Sequence, residues 1–324
     1  MVWFESLQHF ISEADQVLIV SHVNPDGDAV SSTLAAGYLL KRWGKQVTMV
    51  NESPVPKKFF ILEGTKEIVS TDQISGRFRH VIALDCADRE RMGNIRQLLA
   101  EDAFIINIDH HATNERFGDV NIVVPDAAAT VEILFDWVEQ AGVSLDQRLA
   151  SYLYTGLLTD TGGFRYSNTT PKVLRIAAQL VDTGIESHKI ADAVLETVTI
   201  EQLQLLQKAL SSLRRSDDGL VAWMSLSRKD TDAFLQSHED LDGIVNYARN
   251  ILGVDVGILF RETEDGTVKV SLRSREFVDV GKVAKAFGGG GHARAAGCTF
   301  HGSLKEAEEK MLPRLRLELE CEKR

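Results

Sequence analysis

The sequence predicts an α/β protein, with an open, mainly parallel sheet in the N-terminal part and a smaller α/β domain behind it. Three observations carry that prediction. Strand-like and helix-like segments alternate through the first half of the chain. The apolar runs ending at Ser21, Leu84 and Ile108 each stop on a histidine or an aspartate, as parallel strands do when their carboxyl ends share one crevice. After about Asp217 the rhythm changes to strands separated by helical stretches.

Taken in order, the run Val17-Leu18-Ile19-Val20-Ser21 reads as a strand, residues 29–43 as a helix and 46–50 as a second strand. Further strands fall at 81–84 and 104–108, and helical spacing returns at 130–140, 146–158, 171–183 and 187–195. Thr169-Thr170-Pro171 caps one of these helices, with proline at its first position. A polar-faced helix over 200–210 reads as a connector, so the expected division is 1–190, a linker at 191–215, and 216–324. In the last part, strands are expected at 220–225, 254–261 and 268–273, and a final helix from Leu304. No repeat or low-complexity segment interrupts this plan.

At 324 residues and 44% apolar composition the chain can fill two globular cores. No stretch approaches the roughly 18 uncharged apolar residues of a membrane span, and Met1 to Ser6 lack the basic start of a signal peptide. A cytoplasmic enzyme is therefore expected. Cys86, Cys298 and Cys321 are scattered, which indicates neither a disulfide scaffold nor a zinc ribbon. The net charge of −11 disfavours a long grip on nucleic acid, so a polyanionic substrate should be short and met locally. The sequence leaves the oligomeric state, including a homodimer, open.

The densest chemistry lies at the strand ends. Asp109, His110 and His111 are consecutive, His22 is followed by Asp26 and Asp28, and Asp85 ends its own run. Carboxylates and imidazoles converging in one crevice would repel one another unless a cation neutralised them. With Asp160, the set can supply two mixed nitrogen and oxygen coordination spheres suited to manganese, or to iron or zinc, with Asp85 as a bridge. Such ion pairs, about 3.5–4 Å apart, serve phosphoryl displacement. The plain alternative is a set of separate loop residues, since Asn24-Pro25-Asp26-Gly27 is a turn signal in itself. Asp160 would lie near a helix C-terminus, where a negative charge costs about 0.3–1 kcal/mol; its alternative is a cap in the Gly162-Gly163 turn. His111 is expected to point away from His110, because neighbours on an extended segment alternate, and so to act on the phosphate rather than on a metal.

A second constellation is the stretch GGGGHARAAG, from Gly288 to Gly297. Its glycines can bring main-chain N–H groups close to a phosphate. Residues 269–294 hold six Lys or Arg against two Asp or Glu, so the glycine run with His292 and Arg294, completed by Arg273-Ser274-Arg275, forms a candidate anion cradle. The alternative is a hairpin beside a solvated basic face. Arg116 and Arg165 are lesser substrate-binding candidates, as are Asn114 and Asn168.

These motifs closely resemble the DHH phosphoesterase family, named for the triplet that stands here as Asp109-His110-His111. His22-Val23-Asn24-Pro25-Asp26-Gly27-Asp28-Ala29 is similar to its first motif, Asp85 to its second and Asp160 to its fourth, and GGGGHARAAG to the signature of the DHH-associated domain. The resemblance implies that His22, Asp26 and Asp85 hold one ion, usually manganese, and that Asp28, Asp85, His110 and Asp160 hold the other. Asp109 would support the site from behind. His111 would act on the scissile phosphate while the metals activate a bridging hydroxide, and Asp85 and His111 are thus the catalytic candidates. It further implies an interdomain cleft in which Arg273, Ser274, Gly290, Gly291 and His292 grip a nucleotide or terminal phosphate.

Within the family, length and domain plan are similar to the nano-RNase and pAp-phosphatase branch, which hydrolyses very short RNAs to mononucleotides and removes the 3′-phosphate of 3′-phosphoadenosine 5′-phosphate (pAp). Rival readings are a cyclic or linear dinucleotide phosphodiesterase, a pyrophosphatase or polyphosphatase, and a non-catalytic nucleotide-binding module. RecJ-like exonucleases are larger, and membrane-tethered relatives carry transmembrane segments.

Overall fold

The computed structural model describes residues 2–232, 241 and 243–322, without the side chains of 2, 3, 292 and 320–322. The chain forms two compact units, Met1–Thr197 and Val198–Arg324.

The first unit is built on six strands: β1 (Gln16–Ser21), β2 (Gln46–Val50), β3 (Ile68–Val69), β4 (Phe78–Leu84), β5 (Leu99–Asp109) and β6 (Val120–Val123). All pair in parallel, in the order β3-β2-β1-β4-β5-β6. Its helices are α1 (Val2–Glu13), α2 (Gly27–Arg42), α3 (Thr130–Gln140), α4 (Gln147–Asp160), α5 (Pro171–Asp182) and α6 (Ser187–Ala191). Both faces of the sheet are covered, which is why its central strands read as continuous apolar runs. Val17 and Ile19 face a core shared with α2, α3 and α4, whereas Leu18 and Val20 face Met92, Ile95 and Leu98 of the 3-10 segment Glu90–Leu98. The strand order reverses between β1 and β4, and that switch point opens a crevice beyond their carboxyl ends.

Two glycines set the depth of that crevice. A Cβ on Gly27 would fall 2.2 Å from Thr159 Oγ1, and one on Gly156 would fall 2.6 Å from Val131 and 2.8 Å from Asp28 Oδ1. Their bare backbones let α2, α3 and α4 approach closely enough to bring Asp28 and Asp160 to one place.

The second unit contains β7 (Arg214–Arg215), β8 (Val221–Leu226), β9 (Val256–Glu262), β10 (Val268–Ser274), β11 (Gly290–His292) and β12 (Ala295–Phe300), in the order β11-β12-β10-β9-β8-β7. Among the described residues of this sheet, only β8 and β9 pair in parallel. Its helices are α7 (Ile200–Ser211), α8 (Arg228–Thr231), α9 (Ile244–Arg249), α10 (Val280–Ala286) and α11 (Leu304–Glu322). One face of the sheet packs with Ala307, Met311 and Leu315 of α11. The other takes Leu205 and Ala209 of α7 and Ile244, Val245 and Ala248 of α9.

The segment 191–215, expected as a linker, contains the π-helical turn Asp192–Glu196 in the first unit and α7 with β7 in the second. Helical spacing over 187–195 gives way after Ala191 to that π turn. Among the described residues, no helix is long and apolar enough to cross a membrane. Cys86 and Cys298 are buried free thiols, and the side chain of Cys321 lies outside the described residues.

Candidate metal centre

The strand ends at the switch point carry the candidate ligands. His22 follows β1, Asp85 follows β4, and His110 and His111 follow Asp109 at the end of β5. Asp26 is the N-cap of α2, its side chain accepting from the N–H groups of Asp28 and Ala29 at 3.1 Å each. Asp28 thus sits in the first turn of α2, and Asp160 closes α4.

Asp85 occupies the middle. It is buried, and its backbone adopts a left-handed conformation with φ 57°, which is uncommon for a non-glycine residue and concentrates at functional sites. Its Oδ2 stands 3.4 Å from His22 Nε2, and its Oδ1 stands 3.5 Å from both His110 Nε2 and His111 Nδ1. The carboxylate therefore faces two groups at once. On one side, His22 Nε2 lies 3.7 Å from Asp26 Oδ2; on the other, His110 Nε2 lies 3.3 Å from Asp160 Oδ2. His22, Asp26 and Asp85 form one set of donor atoms within 4.8 Å of one another, Asp28, His110 and Asp160 form another, and Asp85, His110 and His111 a third.

The donor chemistry fits divalent cations. His22 Nδ1 donates to Val23 O at 2.9 Å and His110 Nδ1 donates to Ala127 O at 3.2 Å. Each ring thereby has the tautomer that turns the Nε2 lone pair into the cluster. Without a cation the cluster can be tolerated only by holding protons. Burial lowers the proton affinity of His22, but hydrogen bonds to Asp26 and Asp85 outweigh it and raise the pKa to about 10. Asp28 is pushed up to about 8 by burial and by the charge of Asp85. Asp160 is raised well above the ordinary carboxylate range by burial, then by Asp28. Burial also opposes ionisation of Asp85, yet its histidine partners hold it below the usual range.

His111 does not point away from His110 as strand alternation predicts. The strand ends at Asp109, so the alternation lapses, and the two rings meet edge to face with centroids 4.8 Å apart. Yet His111 Nδ1 is taken by Asp109 Oδ1 at 2.7 Å. Asp109 is wholly buried and also accepts from the His110 N–H at 2.8 Å and from Asn114 Nδ2 at 2.6 Å. The same Asn114 amide reaches Asn107 Oδ1 and Cys86 O. Asp160 serves no cap in the Gly162-Gly163 turn: its carboxylate faces His110, while its carbonyl accepts from Asn168 Nδ2 at 3.1 Å.

The second constellation is a hairpin. β11 is the edge strand and pairs with β12 in antiparallel register, Gly291 opposite Ala296. Gly289 and Gly291 are there for close approach, since a Cβ would meet Gly297 O at 2.1 Å and Ala295 O at 2.5 Å; Gly288 and Gly290 stand open and exposed. Ser274 is buried, and its hydroxyl donates to Val278 O at 2.6 Å, closing the loop after β10. Arg294 Nη1 reaches the same carbonyl at 2.9 Å, and Arg273 Nη1 donates to Leu272 O at 3.0 Å. The His292 side chain lies outside the described residues. In the first unit, Arg165 Nε donates to Gly162 O at 2.6 Å, and the exposed Arg116 has φ 53° with its N–H on Asn114 Oδ1.

Residues 16–157 match the DHH family, N-terminal domain, and residues 234–320 match the DHHA1 domain. The chain is 37% identical, over 94% of its length and 90% of the relative's, to the bifunctional oligoribonuclease and PAP phosphatase NrnA of Thermus thermophilus. The chain belongs to the DHH phosphoesterase family. The proteins of that name from Streptococcus mutans, where it is qualified as probable, and from Bacillus subtilis are 29% and 27% identical, over 95% and 92% of this chain and 97% and 93% of theirs. A crystal structure of an exopolyphosphatase-related protein from Bacteroides fragilis superposes with a TM-score of 0.86 at 28% identity, covering 98% of this chain and 96% of that one. DHH phosphoesterases are metal-dependent, and this DHH protein has clusters of Asp and His that could hold metal.

Two residues of this DHH site escape a reading of the sequence. Asn51, buried at the end of β2, donates to Ser21 Oγ and to His22 O, both at 2.9 Å. Thr130, at the start of α3, donates through Oγ1 to Asp85 Oδ1 at 3.1 Å. Asn51 opens the ordinary polar loop Asn51-Glu52-Ser53, and Thr130 follows three alanines.

Proposed function

We propose that this chain is a manganese-dependent phosphoesterase that degrades very short oligoribonucleotides to mononucleotides and removes the 3′-phosphate of pAp. The observation that carries the reading is Asp85, a buried carboxylate with one oxygen toward His22 and the other toward His110. In this reading His22, Asp26 and Asp85 hold one ion, and Asp28, Asp85, His110 and Asp160 hold the other. Bound divalent ions would clamp the attacking and leaving oxygens of a phosphoryl displacement.

The chain's own residues have distinct parts. Asp109 fixes the His111 ring through Nδ1, which leaves proton exchange with the leaving oxygen to Nε2. Arg273, Gly290, Gly291, His292 and Arg294 take the substrate's phosphate or nucleotide, and Arg116 and Arg165 supply further positive charge. Ser274 contributes by holding the loop beside Arg273 rather than by touching substrate. The small substrate agrees with a net charge of −11 and with the names of relatives that span nearly the whole chain.

The test is a comparison of kcat/KM with manganese for pAp, a five-residue RNA, a twenty-residue RNA and a cyclic dinucleotide. The proposal expects pAp and the five-residue RNA to lead by at least tenfold. A lead for the cyclic dinucleotide would replace it with signalling-nucleotide turnover, and equal activity on the long RNA would remove the short-substrate claim.

A further inference from the structure

The four elements that carry the second group of candidate ligands meet at one short loop. Residues 127–131 lead into and open α3, and Ala127, Ala128, Thr130 and Val131 supply the contacts. Ala127 O accepts from His110 Nδ1 at 3.2 Å. Ala128 O accepts from Asn168 Nδ2 at 3.2 Å, and the same amide nitrogen donates to Asp160 O at 3.1 Å. The N–H groups of Thr130 and Val131 donate to Asp28 Oδ2 and Oδ1, at 2.5 and 3.0 Å. Ala129, the N-cap of α3, makes no side-chain cap, so Asp28 supplies from α2 the acceptor that the helix start lacks. Thr130 Oγ1 then donates to Asp85 Oδ1, the oxygen on the His110 side, at 3.1 Å. Among the described residues, the side-chain hydrogen bonds and ion pairs of His22 and Asp26 run to Val23, Asp28, Ala29, Asp85 and each other, not to this loop.

From this asymmetry we infer that Thr130 is a positioning residue that tunes one metal position and not the other. The inference rests on the metal-dependent reading above. The Thr130 hydroxyl donates to Oδ1 of Asp85, the oxygen facing His110, and not to Oδ2, which faces His22, while its main chain holds Asp28. Outer partners of this kind typically change metal affinity 10- to 100-fold when removed. Replacing the hydroxyl by a methyl group leaves the main-chain bonds to Asp28 intact, so the effect should be confined to what Oδ1 of Asp85 helps to hold.

The test is manganese titration of the full chain by calorimetry and electron paramagnetic resonance, for wild type, Thr130→Val, Thr130→Ser and the reference variants Asp26→Asn and Asp160→Asn. The expected result is two ions in wild type and a 10- to 100-fold weaker second ion in Thr130→Val. At limiting manganese that variant should show the mononuclear signal of Asp160→Asn, not that of Asp26→Asn. Thr130→Ser should restore the coupled two-ion spectrum. If Thr130→Val does not fold, Thr130→Ala carries the same expectation. Wild type binding two ions and the valine or alanine variant binding both equally well, or losing both alike, overturns the inference while leaving the metal reading intact. Wild type that binds no ion overturns the metal reading itself, and the inference with it.

Discussion

His111 Nδ1 lies 2.7 Å from Asp109 Oδ1, a carboxylate with no exposed surface that is itself held by Asn114 and by the His110 N–H. That pairing fixes which imidazole nitrogen remains for chemistry. It predicts that His111→Ala keeps both ions and slows kcat by about 10²-fold or more, the range of a lost general acid. Metal content by elemental analysis beside steady-state kinetics checks it, and loss of metal in His111→Ala would contradict the assignment.

Proton linkage gives a second prediction. Raised on folding, His22 goes from 6.5 to about 10 and Asp28 from 3.8 to about 8. A group raised on folding stabilises the native state below its unfolded pKa, and that contribution fades as pH climbs through the folded value. The metal-free protein should therefore lose stability between about pH 4 and 8 through Asp28 and between 6.5 and about 10 through His22. An ion must displace the same protons, so manganese affinity should rise over that window. Melting scans with and without manganese at pH 6, 7, 8 and 9 should show the gap in Tm widening; a constant or narrowing gap would count against the cluster as drawn.

The glycine contacts lead to a third. Gly27→Ala sets a Cβ 2.2 Å from Thr159 Oγ1, and overpacking of this kind costs about 1–3 kcal/mol. Because the displaced helices carry Asp28 and Asp160, the variant should show both a lower Tm and weaker manganese binding. Weaker stability with unaltered metal affinity would mean that the close helix contact does not set the ligand geometry.

In the second unit, Arg273 and Ser274 are neighbours with different expected phenotypes. Ser274→Ala removes the donor to Val278 O and Ala293 O, so it should cost about 1–2 kcal/mol of stability. Arg273→Gln should instead raise KM with little change in kcat or Tm, as a lost uniform binding contact does. Denaturant melts and kinetics on the two variants separate these outcomes, and an unaltered KM for Arg273→Gln would remove it from the anion cradle.

Residues whose chemistry is conspicuous in sequence were those that stood where strands end. His22, Asp85 and His110 follow apolar runs, and parallel pairing at the switch point brings them together. What sequence reading missed has a common physical cause: it depends on main chain or on short elements. β3 has two residues and no apolar run of its own. The partners of Asp28 are backbone N–H groups behind three alanines, and Thr130 is silent until α3 is set against β4. The alternation rule misdirected His111 because the strand ends two residues before it. Ser274 also stands at a strand end, and there its hydroxyl closes the loop after β10, a bond to main chain that the sequence does not announce.

Asp85 carries the account, since one carboxylate is asked to serve both ions. Manganese titration of Asp85→Asn against wild type, read as bound ions per chain together with pAp hydrolysis, tests this most directly. The account predicts two ions and activity in wild type, and metal content and turnover falling together in the variant. Retention of both ions by Asp85→Asn would contradict it.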